Sequence, residues 1–189
     1  KCQKNVSITI YNQFKASNHE QRKDRTMYTE SDSYESILND EGWFRLPVYR
    51  CMVVRENEQN VPIDAIRSPQ DAYKILSAYL GGLDREHVVV LMLDTKNGII
   101  GINTVAIGSG NAACVDMKDI FKPAIIVNAM SIIVAHNHPS GDPTPSPEDI
   151  RITEKMIEAG ELMGIRVMDH IIVGHGRFVS LKERGISFK

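Results

Sequence analysis

From residue 46 onward the apolar positions come in short runs with clear punctuation, whereas the first 45 residues are mostly polar. Residues 48–54 alternate well enough to predict a strand. Ser68-Pro69-Gln70-Asp71 predicts a helix start, with Ser68 as N-cap, Pro69 at the first helical position and Asp71 placed to meet the cap's own N–H. Ala72, Ile75, Leu76 and Tyr79 then share one face, and Gly81-Gly82 stops the helix. Residues 88–94 and 99–107 predict antiparallel neighbours joined at Lys96-Asn97-Gly98, because Asn-Gly readily takes positive φ. Asp116 is predicted to cap a helix through Ile120, Phe121, Ile125 and Ile126, with Pro123 in its first turns or at a kink. Residues 131–135 predict a short buried strand. A helix over 147–163 follows, with Ile150, Met156, Ile157 and Met163 available to the core and Gly164 as its stop. Residues 167–173 and 178–181 predict two closing strands around Gly174-His175-Gly176.

This is an α/β pattern, and its length suits one domain with an appendage. We expect an N-terminal arm over 1–45, partly flexible, and a domain over 46–189. Within the arm, basic residues dominate up to Arg25 and acidic ones from Glu30 to Glu41, which reads as solvated surface, and only residues 6–11 predict a strand.

Composition narrows the function. A chain of 189 residues with 42% apolar content buries one core, and a formal net charge of −2 with pI near 6.3 provides no cationic field for nucleic acid or an anionic membrane. Cys2, Cys51 and Cys114 form no CxxC pair and leave one thiol over in any intramolecular pairing, which favours a reducing, cytoplasmic setting. Cys51 and Cys114 read as buried or half-buried thiols without an activating partner. No apolar run approaches the roughly 20 residues a membrane span needs. The opening Lys-Cys-Gln-Lys-Asn-Val does not predict a signal peptide.

The chemistry concentrates between His136 and Asp149. His136 and His138 lie two apart where an apolar strand runs out, so both imidazoles face one side and Asn137 the other. Pro139, Ser140 and Gly141 turn the chain toward the helix that presents Asp149. Two nitrogens and a carboxylate leave zinc one ligand short of its usual four, and water fills that place in catalytic rather than structural sites. Each member also has a plainer reading. A His at a strand end is commonly a polar residue leaving the core. Ser146-Pro147-Glu148-Asp149 is a capping box of the same form as the one at Ser68. The joint pattern is what points to one zinc ion per chain. Capping and ligation compete for a single carboxylate, so we expect Ser146 to keep the cap while Asp149 turns to the ion. Asp169 and His170, adjacent on a strand, face opposite sides; at most one supports the metal site from outside, and His170 is the better candidate. His175 reads as exposed.

His136-Asn-His138-Pro-Ser-Gly-Asp-Pro-Thr-Pro-Ser146, Met168-Asp-His170-Ile-Ile-Val-Gly and Gly176-Arg-Phe-Val-Ser-Leu resemble the JAMM (MPN-type) metalloprotease motif as found in the RadC-like family. The resemblance covers roughly residues 68–186. It implies a three-layer, cytidine-deaminase-like α/β fold with a mixed central sheet flanked by helices, and zinc held by His136, His138 and Asp149. It also implies a general base at the start of the first core strand, the place of Glu86, and a Ser146 hydroxyl donating to the developing oxyanion. For Ser146 a pure N-cap role stands equally open.

These assignments predict a zinc-dependent hydrolase, with activated water and Glu86 cleaving an amide bond of a peptide or protein. The alternative is a non-catalytic zinc module associated with DNA repair or DNA mobility. The first fifth of the chain shows no Gly-containing helical hairpin of the kind many RadC-like proteins carry, which argues against direct DNA binding. Three other classes are disfavoured. The contiguous His-Asn-His is not the dispersed ββα-metal nuclease motif, and a zinc nucleobase deaminase needs His-x-Glu with Pro-Cys-x-x-Cys. A serine hydrolase needs a Gly-x-Ser-x-Gly elbow. Ubiquitin-cleaving JAMM enzymes carry long insertions not seen here.

Overall fold

A computed structural model describes residues 49–51, 54–58, 60–108 and 115–188 of the chain. The expected strand at 6–11, the arm to residue 45, Cys2 and Cys114 lie outside the described residues.

Among the described residues, five strands and three helices follow one another as α1 (Pro69–Leu80), β1 (His87–Leu93), β2 (Ile99–Ile107), α2 (Met117–Ile126), β3 (Ser131–Asn137), α3 (Pro147–Met163), β4 (Arg166–Val173) and β5 (Phe178–Ser180). The strands form one mixed sheet in the order β2-β1-β3-β4-β5, with β3 and β4 parallel and the other pairs antiparallel. β1 and β3 are the central strands, and almost every residue in them is buried, as expected for strands covered on both faces. Val89, Leu91, Ile133, Ala135 and Ile171 pack on α1 residues such as Ile75 and Leu76. Val88, Val90, Ile132, Val134 and Ile172 share the opposite core with Phe121 of α2 and Met156 of α3. The result is three layers, helix on sheet on helices.

The caps show how the helices are placed. Ser68 accepts from the Asp71 N–H, while the Asp71 carboxylate takes the N–H of Arg67 at 3.2 Å, one residue before the expected partner. Gly164 adopts the left-handed conformation (φ 67°) that closes α3. Asp116 stands at the N-cap of α2 without a side-chain cap bond; its carboxylate lies 3.3 Å from the Lys118 ammonium instead. Pro123 lies inside that helix, in its second turn.

Three expectations are corrected. Of the strand expected over 48–54, Tyr49, Arg50, Cys51 and Val54 belong to no strand and are exposed, so Cys51 is not a buried thiol; residues 48, 52 and 53 lie outside the described residues. Ile150 and Met163 are about two-fifths exposed, because the buried stripe of α3 runs through Thr153, Met156 and Gly160. In the β1–β2 turn only Asn97 has positive φ, 59°, so this is not a two-residue Asn-Gly turn. The Asp94 carboxylate accepts from the N–H groups of Lys96 and Gly98, both at 2.7 Å, and fixes a wider turn.

Candidate metal centre

β3, the loop after it, α3 and β4 make a parallel β-α-β unit, and the candidate site sits where β3 ends and α3 begins. Such positions collect functional groups because the strand delivers side chains to the edge of the sheet and the helix turns its N–H groups toward them. The strand runs through Asn137, so His136 is its last but one residue and only 2% exposed. His138 follows just outside the strand, with its N–H still held by Val173 O at 2.9 Å. Gly141 lets the chain reverse: its φ is +81°, and a Cβ there would overlap the His175 ring. His175 itself is exposed, as expected.

His136, His138 and Asp149 converge, with one ligand atom from each lying within 4.8 Å of the others. His136 Nε2 is 3.1 Å from His138 Nε2 and 3.3 Å from Asp149 Oδ1. Metal–donor bonds of 2.0–2.1 Å in a tetrahedron imply donor–donor edges of about 3.3 Å, so the two edges at His136 fit a small divalent cation such as zinc, while His138 Nε2 stands farther from Asp149, 3.8 Å from its Oδ2. The donor chemistry fits as well. His138 Nδ1 lies 2.7 Å from Asp142 O, a carbonyl that can only accept, so the neutral ring carries its proton on Nδ1 and turns its Nε2 lone pair toward Asp149 and His136.

Asp149 satisfies both claims on it. Its Oδ2 accepts from the N–H and the hydroxyl of Ser146, each at 2.7 Å, and Ser146 Oγ accepts from the Asp149 N–H at 3.2 Å. That is a complete capping box, and Oδ1 is left toward His136. The expected competition for the carboxylate is thus avoided by dividing its two oxygens, rather than by Ser146 taking the cap alone. The Ser146 hydroxyl gives its proton to Asp149 in this arrangement.

Burial governs the electrostatics. His136 is pushed down to about 4 from an ordinary 6.5, first by desolvation, then by His138, against the opposing pull of Asp149. His170 is lowered well below 6.5 by burial first, then by His136 and His138. Both rings are neutral at neutral pH, the state a metal ligand or its support requires.

Sequence reasoning put His170 near this site, and it lies against it: His170 Nε2 is 2.9 Å from His136 Nδ1, and its Nδ1 is 2.6 Å from Thr153 Oγ1. A bulge directs it there. Ile132 pairs with Val167 but Ile133 pairs with Asp169, so Met168 is an extra residue that reverses the alternation of β4. Val167 and Ile172 can therefore share one core although their numbers differ in parity, and His170 joins that face. Asp169 faces away. Its carboxylate receives Ser180 Oγ at 2.6 Å and the N–H groups of Lys182 and His170, and burial raises its pKa against those bonds.

Glu86 stands one residue before β1, half-buried, with its carbonyl accepting from Gly108 N at 2.8 Å. It is two residues from Val88, whose partner across the β1–β3 pair is His136, so strand alternation puts Glu86 in phase with the face that carries the His pair. Asn137 ties this segment to the site. Its Oδ1 accepts from His87 N at 2.8 Å and its Nδ2 donates to Arg85 O at 3.0 Å, spanning the backbone on both sides of Glu86. The sequence reading gave Asn137 no such duty and did not single out Thr153 at all. Thr153 was detectable: it is four residues after Asp149 on one helix, hence on the same face.

A family model described as the RadC-like JAB domain matches residues 66–186, nearly two thirds of the chain, and spans all eight elements from α1 to β5. The chain belongs to the RadC-like JAB family. Its relatives include a UPF0758 protein of Roseiflexus castenholzii, 54% identical over 143 residues, which are 76% of this chain and 60% of that protein. Others are UPF0758 proteins of Methanococcoides burtonii, 50% identical over 66% of this chain and 54% of its own length, and of Caldanaerobacter subterraneus, 50% identical over 64% and 52%. The chain spans a little over half the length of the curated relatives it matches. Among the described residues no helix is long and apolar enough to cross a membrane.

Proposed function

We propose that this RadC-like domain is a zinc-dependent hydrolase that cleaves an amide bond of a peptide or protein, with His136, His138 and Asp149 holding one zinc ion. The convergence of three donors, with the two separations at His136 suited to a tetrahedral cation and one position left over, carries the reading. Zinc in such a site supplies Lewis acidity toward a carbonyl and lowers the pKa of water. In this reading the Glu86 carboxylate accepts the proton of the attacking water and later delivers it to the leaving amine, while Asn137 holds the backbone that carries it. Ser146 caps α3, and its hydroxyl can serve an oxyanion only by turning away from Asp149. A cleft of about 450 Å³ on the side of α1 is lined by Leu80, Leu83, Pro139 and Val173 and touches the proposed centre at His138.

The test combines metal content with turnover. Wild-type protein purified without added metal and then given zinc is expected to retain one equivalent and to cleave members of a mixed peptide library. Glu86→Gln should keep the zinc and lose at least about a hundredfold in kcat, the usual share of a general base. Cleavage unchanged by that substitution would overturn the base assignment. Zinc retention without hydrolysis, together with salt-dependent DNA binding, would favour a non-catalytic module instead.

A further inference from the structure

The hydrogen bonds behind His136 decide which of its nitrogens is offered to a ligand, and they begin on α3. Thr153 is fully buried, and its Oγ1 lies 2.5 Å from Asp149 O. A carbonyl only accepts, so at that separation the single hydroxyl proton of Thr153 lies between the two oxygens. Toward His170 Nδ1, at 2.6 Å, the same oxygen can then only accept. The Nδ1 of His170 therefore carries a proton. His170 is 2% exposed, and among the described residues its ring nitrogens meet only Thr153 and His136, with no carboxylate hydrogen-bonded to either, so the ring is neutral and its Nε2 is an acceptor. The donor at 2.9 Å must be His136 Nδ1–H.

We propose that Thr153 is a positioning residue for the metal centre: acting through His170, it holds His136 in the Nδ1–H tautomer, so that the Nε2 lone pair faces His138 and Asp149. The path closes on itself, because the carbonyl that orients the Thr153 hydroxyl belongs to Asp149, whose carboxylate stands beside His136 Nε2. One turn of α3 thus supplies both a ligand and the group that sets the proton of another ligand. His138 reaches the same tautomer by a different route, the Asp142 carbonyl, so His136 alone depends on Thr153. This inference rests on the metal-centre reading and is independent of hydrolysis.

The test uses histidine-selective ¹⁵N labelling of the metal-free protein at neutral pH, with long-range proton–nitrogen correlations to locate each ring proton. In wild type, His136 is expected as the Nδ1–H tautomer with a bare Nε2, and His170 likewise as Nδ1–H. Thr153→Val keeps the shape but removes the hydroxyl, and both rings should then show mixed tautomers. Zinc affinity, measured by competition with a chelating dye, should weaken ten- to a hundredfold, the usual cost of losing a group that orients a ligand. Thr153→Ser should restore tautomer and affinity together, which a role in packing alone would not do. If valine prevents folding, Thr153→Ala is read in the same way. A wild-type His136 protonated on Nε2, or a folded hydroxyl-free variant with wild-type tautomer and affinity, would overturn the proposal. Because neither readout uses peptide cleavage, its failure is separate from failure of the hydrolase reading.

Discussion

Two residues of the candidate centre separate binding from folding. His138 is one-fifth exposed and its Nδ1 is anchored to Asp142 O, whereas Asp149 also completes the cap of α3. His138→Ala should therefore abolish zinc retention and leave the metal-free protein nearly as stable as wild type. Asp149→Ala should abolish retention too, and in addition lower metal-free stability by about 0.5–2 kcal/mol through the broken capping box. Elemental analysis and chemical denaturation of both variants check this. A variant of either residue that keeps a full equivalent of zinc would remove it from the ligand set.

At the scale of elements, two irregularities place the site. The extra residue in β4 turns His170 to the α3 face, and Asn137 at the end of β3 fastens the chain on either side of Glu86. Asn137 is 4% exposed, so Asn137→Ala leaves the His87 N–H and the Arg85 carbonyl without their partner. A cost of about 1–3 kcal/mol is expected, as for other buried polar groups left unsatisfied. Amide exchange at His87 should quicken while that at Leu91, deep in the same strand, changes only with global stability. Equal protection at His87 in both proteins would show that β1 does not need the clamp.

For the molecule as a whole, burial of neutral imidazoles ties stability to pH. His136 is held near 4 and His170 well below 6.5, whereas in the unfolded chain both take up protons near 6.5. Since the folded values are depressed, the stability these rings contribute is complete above 6.5 and is lost as the pH falls from there toward 4. The metal-free protein should lose up to about 1.4 kcal/mol per pH unit for each ring across that window. Added zinc should offset the loss at neutral pH and progressively less in acid, because protons compete for the same nitrogens. Urea midpoints measured from pH 7 to 4.5 test the direction; a flat profile without metal would contradict buried, neutral rings.

Much of this was legible in local pattern. The bounds of α3, the hairpin of β1 and β2, and the donors His136, His138 and Asp149 follow from capping residues, alternation and spacing, which act over a few positions. Pattern misled where burial depends on what lies opposite: Tyr49, Arg50, Cys51 and Val54 come from an alternating run yet belong to no strand, and Ile150 and Met163 look like core but lie at the edge of the helix's buried stripe. The amino-acid sequence by itself determined which groups can donate to a cation and which helix and strand carry them. Only the tertiary structure decided that Asp149 divides its oxygens between a cap and the His pair, that a bulge brings His170 behind His136, and that Thr153 sets their protons. The last two are hydrogen-bond choices between residues 17 and 34 positions apart, and no local rule links such residues before the sheet and helix are packed.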